Sequence, residues 1–187
     1  GLVDDVIESY ERYLPRSLGF GHFKEWTRRF SRANPAPGAA LTVGLIVTGG
    51  TDAAAIKATL ESIRLQRGAN IKAFAPAKKQ DFQGMLSAAI AAQCEVIGCI
   101  RAGDTLAPHA IAHVLSGFAG ADVQVVYTDS EYDGKPWFKP AWNRDYAYAT
   151  DYPLELMLVR VAAAPPAASA ASFAWSAEWC AWKRPVA

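Results

Sequence analysis

Short apolar stretches alternate with amphipathic stretches through the middle of the chain. The apolar stretches have the length and near-continuous character of strands that are covered on both faces. They predict strands at 41–47, 71–75, 95–100 and 123–127, with a further strand at 154–161. Helical spacing predicts intervening helices at 53–65, 82–93 and 108–118. Such alternation is typical of an α/β domain, in which right-handed crossovers wind a parallel sheet.

Two further helices are predicted ahead of this pattern. Apolar residues recur at helical spacing between residues 2 and 14, and again between 22 and 33. The stretch 34–38 contains two prolines and a glycine, which indicates a linker. We therefore expect a helical extension over residues 1–38 and an α/β domain over residues 39–187, with a last helix at 172–182.

Charge and cysteine content narrow the class of protein. Nineteen basic and eighteen acidic residues give a net charge of +1, so we expect no nucleic-acid partner. No apolar run approaches the ~20 residues that span a bilayer, and we identify no signal peptide. The three cysteines, Cys94, Cys99 and Cys180, lack the spacing of a disulfide framework or a zinc site. We expect Cys94 and Cys99 to be core residues in a reducing compartment.

Candidate chemistry lies where the first and third predicted strands end. In parallel α/β sheets, ligands bind beyond the carboxyl ends of the strands. Thr48 and Gly49 follow the first strand, and Asp52 caps the next helix, so backbone N–H groups there could approach a nucleotide. After the third strand, Arg101 has the planar fork that suits a diphosphate. Asp104 could hold a metal ion or cap the following helix, and the sequence leaves both roles open.

An acidic cluster follows the fourth predicted strand. Asp129, Glu131 and Asp133 occupy alternate positions, which share one face in an extended chain. Close carboxylates repel one another unless a cation or a proton lies among them, and Mg²⁺ or Mn²⁺ suits such oxygen ligands. A solvated acidic turn is the alternative interpretation of the same residues.

The middle of the chain resembles family 2 glycosyltransferases of the GT-A fold. The segment IRAGDTLAPHAI is similar to the family's acidic metal motif and the helix start that follows it. The segment VVYTDSEYD and the later FKPAW at 138–142 resemble the subgroup that builds bacterial surface polysaccharides. The first strand and helix are also similar, with Ser62 and Gln66 at the family's usual positions. The resemblance covers about residues 41–160 and implies a GT-A-like, mostly parallel twisted sheet with flanking helices.

The resemblance implies transfer of a sugar from a nucleotide-diphosphate donor to a hydroxyl group of a glycan or lipid-linked acceptor. It also implies a cytoplasmic protein, associated peripherally with the inner face of the membrane. A divalent cation, Mg²⁺ or Mn²⁺, usually holds the donor diphosphate in this family. On this basis Asp129 and Glu131 are assigned as catalytic residues and Asp104 as the metal ligand. The donor-binding residues are then Thr48, Gly49, Asp52, Arg101 and Asp104.

The sequence also departs from the family pattern. Arg101 and Gly103 stand where the metal motif usually has its two aspartates, so we expect weak cation binding or none. Residues 171–174 contain no acid where the family places an acidic pair. We therefore expect a truncated or degenerate member. Two functions stay open, a transferase or a GT-A-like module that binds a sugar nucleotide or a protein partner without catalysis. An unrelated doubly wound nucleotide-binding domain is a third interpretation.

Overall fold

The computed structural model describes residues 40–49, 52–76, 82–150 and 152–163. The predicted helices at the N-terminus and at 172–182 lie outside the described residues, as does the linker at 34–38. The division of the chain at residue 38 therefore stays a prediction.

Seven strands and four α-helices form in the described ranges, largely where the hydrophobic pattern predicts them. The strands are β1 Thr42–Thr48, β2 Asn70–Phe74, β3 Val96–Arg101, β4 Val125–Tyr127, β5 Ser130–Tyr132, β6 Lys135–Trp137 and β7 Met157–Arg160. The helices are α1 Ala53–Arg64, α2 Phe82–Ala91, α3 Ala110–Gly117 and α4 Arg144–Thr150. Short 3₁₀ turns span Tyr152–Glu155 and Val161–Ala163. None of the helices described here is long and apolar enough to cross a membrane.

The central sheet is mixed, with the strand order β2-β1-β3-β7-β4. Strand β1 pairs in parallel with β2 and β3, as predicted, whereas β7 lies antiparallel between β3 and β4. Strand β4 runs in the same direction as β3, because both are antiparallel to β7, so a single antiparallel strand interrupts the predicted parallel sheet. Met157, Leu158 and Val159 are all buried, and a strand covered on both faces belongs in the interior of a sheet. The three-residue strand β4 forms one edge of the sheet, next to β7.

Residues 129–138 belong to a separate compact unit and are described by themselves. Within this segment β5 and β6 pair as an antiparallel hairpin, in which Tyr132 lies opposite Lys135. Asp133 and Gly134 form the two-residue turn, with φ of 50° and 73°. Asp-Gly suits such a turn because both positions require positive φ. The expectation that Asp133 continues an extended acidic face is therefore wrong.

Two apolar clusters cover the two faces of the sheet, because alternate residues of each strand point to opposite faces. Val43, Leu45 and Val47 join the cluster that includes Ile63 of α1 and Ile111 of α3. Ile46 joins the cluster that includes Met85 of α2, on which Cys99 also packs. The prediction that Cys94 and Cys99 are core residues is confirmed, since Cys94 is buried and Cys99 is partly buried.

The burial of Cys99 gives a pH-dependent prediction. Burial raises the pKa of the Cys99 thiol from 9.0 to about 12, so about one thiol in 10⁴ is ionised at pH 8. Because the thiolate is the reactive form, we expect Cys99 to resist a thiol reagent at pH 8 until urea unfolds the chain. The measurement is the labelling rate of Cys99 by mass spectrometry, in a variant that carries Cys180→Ala.

The raised pKa of the Cys99 thiol also makes the free energy of unfolding depend on pH. The unfolded thiol ionises near pH 9 while the folded thiol keeps its proton, so the folded state loses stability as pH rises from 9 towards 12. Cys99→Ala removes this titration, and its stability should fall less steeply over the same range. Rapid labelling of Cys99 in the folded protein at pH 8 would contradict both the burial of this thiol and its raised pKa.

Candidate functional site at the carboxyl edge of the sheet

The site is built from the adjacent carboxyl ends of β1 and β3. Thr48 lies directly opposite Arg101 in the parallel register, and the Ala102 N–H donates to the Thr48 carbonyl at 2.7 Å. Ala75 follows β2 at the same edge, since Phe74 pairs with Ile46. The helix α1 begins at Ala53, just beyond the end of β1. Its N-terminus therefore lies beside the two strand ends.

The side chain of Arg101 lies across the turn at Gly49. Gly49 has φ of +76°, and a Cβ at this position would lie 3.2 Å from Cγ and 3.4 Å from Nε of Arg101. The turn therefore needs glycine for its backbone conformation and for the close approach of the arginine. This packing brings a cation against the exposed backbone that follows β1.

Asp52 has a structural task in this arrangement. Its Oδ1 accepts a hydrogen bond from the Ala54 N–H at 2.9 Å, which caps α1. The predicted capping role is thus confirmed, and the cap fixes the start of the helix next to the Gly49 turn. A direct contact of Asp52 with a donor stays a prediction.

Asp104 lies on the loop after β3 and is coupled to two other charges. Partial burial raises the pKa of the Asp104 carboxyl, Arg101 opposes this shift, and Glu155 adds to it. Asp104 does not cap the following helix, because α3 begins only at Ala110 and has His109 at its N-cap position. Asp104 is therefore free of the helix-capping role that the sequence left open.

Glu155 and Lys139 form an ion pair that the sequence reasoning missed. Lys139 Nζ lies 3.2 Å from Glu155 Oε2, and the lysine side chain is 0 % exposed while that of Glu155 is 47 % exposed. Glu155 reaches this edge because β7 is antiparallel, so the amino end of β7 lies beside the carboxyl end of β3. The sequence does show an acid directly before the apolar stretch of β7. It can be placed at the carboxyl end of β3 only once β7 is known to run antiparallel to β3.

Two tyrosines hold the segment that carries Lys139. The Tyr127 hydroxyl donates to the Pro140 carbonyl at 2.7 Å, and the Asn143 N–H donates to the Tyr152 hydroxyl at 3.1 Å. Tyr152 is completely buried and meets Tyr127 edge-to-face, with 5.6 Å between the ring centroids. The FKPAW motif is therefore anchored from residue 140 onwards by buried aromatic side chains.

Ser62 and Gln66, which the resemblance singled out, support the loop that follows β3. The Leu106 N–H donates to Ser62 Oγ at 3.1 Å, and Gln66 Nε2 donates to the Ala107 carbonyl at 2.7 Å. Gln66 Oε1 also accepts from the Ile111 N–H at 3.1 Å. These hydrogen bonds therefore hold residues 106–111, which lead into α3, against the carboxyl end of α1.

The described residues do not fit a resident divalent cation. No group of three histidine, cysteine or acidic side chains with metal-binding geometry occurs in the part of the chain that the structure describes. Arg101 places positive charge near Asp104, and Lys139 already neutralises Glu155. Asp104 as a metal ligand therefore stays a prediction. Asp129 and Glu131 belong to the hairpin segment, and their catalytic role also stays a prediction.

Comparison with known proteins relates part of the chain to polysaccharide synthesis. No protein-family model matches the chain. A stretch is 34% identical over 73 residues to the O-antigen biosynthesis protein RfbC of Myxococcus xanthus. The match covers 35% of this chain and 6% of RfbC. The similarity therefore concerns a small part of a much longer protein.

Proposed function

We propose that this chain is a GT-A-like donor-binding domain of a bacterial glycosyltransferase that acts in polysaccharide synthesis. It binds a nucleotide-diphosphate sugar at the carboxyl edge of its sheet and transfers the sugar to a glycan or lipid-linked acceptor. One observation carries the proposal: Arg101 lies across the Gly49 turn, where the adjacent ends of β1 and β3 meet the N-terminus of α1. The match to an O-antigen biosynthesis protein supports the same process.

The charges at this edge suit the parts of such a donor. A guanidinium offers paired N–H donors to diphosphate oxygens, and these charge-assisted hydrogen bonds are among the strong ones. Gly49 has no side chain of its own and Arg101 lies across it, so a phosphate bound there would meet the guanidinium beside the start of α1, which Asp52 caps. Asp104 and Glu155 are carboxylates that accept hydrogen bonds from sugar or ribose hydroxyls.

In this proposal the leaving diphosphate is stabilised mainly by fixed positive charge from Arg101. Asp129 or Glu131 takes the proton of the acceptor hydroxyl as a general base. A divalent cation, Mg²⁺ or Mn²⁺, contributes weakly or not at all, because Arg101 occupies the place of an expected acidic ligand. The acceptor is presented at the cytoplasmic face of the membrane.

A second candidate function is donor binding without transfer. It is favoured by Arg101 at a position where the family has an aspartate, and by the lack of a three-ligand metal group among the described residues. Both candidates share the donor site and differ only in turnover.

The test is a calorimetric titration of UDP-glucose, GDP-mannose and dTDP-glucose into the full chain, with and without Mn²⁺. We expect at least one of them to bind, with little dependence on Mn²⁺. Release of nucleoside diphosphate on addition of a lipid-linked glycan then separates the transferase from the binding module. A chain that binds none of the three at millimolar concentration contradicts both functions.

A further inference from the structure

Thr59 is a polar residue in the core face of α1. Its side chain is completely buried, in a helix that packs Ile63 against the sheet. Burying a hydroxyl without a hydrogen-bond partner costs free energy. The partners of the Thr59 hydroxyl therefore indicate its role. Valine has nearly the same shape and would suit an apolar position, which makes the hydroxyl itself the feature to explain.

The Thr59 hydroxyl is bonded to the turn that carries Arg101 and Asp104. Its Oγ1 accepts a hydrogen bond from the Gly103 N–H at 2.9 Å. It donates to the Asp104 carbonyl at 2.8 Å, and the Arg101 carbonyl lies at 3.4 Å from the same oxygen. One side chain thus contacts three backbone groups within four consecutive residues.

These contacts reinforce a turn that the backbone also closes, since the Asp104 N–H donates to the Arg101 carbonyl at 3.0 Å. Gly103 has φ of +101°, a conformation that glycine enters freely and leaves equally freely. The Thr59 hydroxyl holds the turn on both sides of Gly103, and the Ala55 carbonyl accepts from the same Gly103 N–H at 3.2 Å. The relative placement of the Arg101 and Asp104 side chains therefore depends on α1.

We propose that Thr59 is a positioning residue of the donor site. It holds Arg101 against the Gly49 turn and Asp104 beside it, so that the site is formed before the donor arrives. Pre-organisation of this kind improves affinity because less ordering is needed on binding. The inference rests on the proposed function for its effect on the donor, while the effect on the turn can be measured without any ligand.

Three variants separate positioning from general stability. Thr59→Val removes the hydroxyl at nearly constant volume, and Thr59→Ser keeps it. Ser62→Ala is the matched control, because it removes another buried hydroxyl of α1, whose bonds to the Leu106 N–H and the Thr59 carbonyl leave the Gly103 N–H and the Asp104 carbonyl untouched. Thermal unfolding of all three shows whether each variant folds and whether the two deletions cost similar stability.

Two measurements follow in the full chain: amide hydrogen exchange at Gly103, and the affinity for UDP-glucose, GDP-mannose and dTDP-glucose. We expect Thr59→Val to speed exchange at Gly103 about tenfold and to weaken binding of the sugar nucleotide about fivefold, the effect of one ordinary hydrogen bond. Thr59→Ser should restore both quantities, and Ser62→Ala should change neither.

Equal effects of Thr59→Val and Ser62→Ala on affinity, or unchanged exchange at Gly103 in Thr59→Val, would overturn the positioning role. If the parent chain binds none of the three sugar nucleotides, the proposed function fails. Exchange at Gly103 then still decides whether Thr59 fixes the turn.

Discussion

Gly98→Ala is expected to lower the free energy of unfolding by roughly 3 kcal/mol, at the upper end of the range for overpacking. Gly98 lies opposite Leu158 where β7 pairs with β3. A Cβ at Gly98 would overlap Leu158 Cδ2 and would lie 2.8 Å from the Met157 carbonyl oxygen. Backbone cannot move aside cheaply, so the two strands would have to separate. Urea unfolding of the variant measures the cost.

Gly120→Ala is the matched control for this prediction. The nearest atom to a Cβ at Gly120 is Asp122 Oδ1 at 2.7 Å, at the end of an exposed side chain that can rotate away. We expect a change within about 0.5 kcal/mol, as for ordinary surface substitutions. If the two variants are equally stable, β7 does not lie beside β3 in this register and the mixed sheet is wrong.

Arg101→Ala is expected to weaken binding of a sugar nucleotide by about tenfold or more. A hydrogen bond to a charged group contributes roughly 1.5–3 kcal/mol, and 1.4 kcal/mol corresponds to a factor of ten in affinity. Arg101→Asp introduces the acid that the glycosyltransferases resembled by this sequence have at the corresponding position. Binding by this variant should therefore be weak without Mn²⁺ and should recover when Mn²⁺ is added, since a carboxylate attracts the cation that the guanidinium repels.

Arg64→Ala is the control, because Arg64 is an exposed arginine in the last turn of α1, at the opposite end of the helix from Asp52. It removes the same charge from the chain but leaves the strand ends untouched. Calorimetric affinities for parent and variants, each with and without Mn²⁺, complete the comparison. Equal affinities of Arg101→Ala and Arg64→Ala would remove Arg101 from the donor site.

The hydrophobic pattern predicted most of the elements because each depends on local spacing. The strand predicted at 95–100 forms at Val96–Arg101, and the helix predicted at 53–65 forms at Ala53–Arg64. The helix predicted at 108–118 begins two residues later, since Pro108 belongs to the loop that Gln66 holds. The hairpin around Asp133 and Gly134 was missed, although Asp-Gly is a recognisable signal for such a turn.

The order of the strands could not be predicted in the same way, because pairing between distant segments leaves no periodic signal in either one. Strand β7 was predicted as an element but not as the neighbour of β3. The same limit applies to the candidate site, because residues from distant strands could not be placed together from the sequence. Arg101 and Asp104 were proposed from the strand end that carries them, whereas Glu155 could be placed at this edge only once the direction of β7 was known. Thr59 was missed because a single buried threonine in an amphipathic helix has no distinguishing pattern.

The most direct test of the central claim is a map of the binding site by amide chemical shifts. The full chain, labelled with ¹⁵N, is titrated with whichever of the three sugar nucleotides binds. We predict that the largest shifts fall on amides at the carboxyl edge of the sheet: Thr48, Gly49, Ala102 and Gly103. Amides at the opposite edge, at Thr42, Asn70 and Glu95, should stay unchanged. Shifts concentrated at that opposite edge would contradict the claim that the carboxyl ends of β1 and β3 bind the donor.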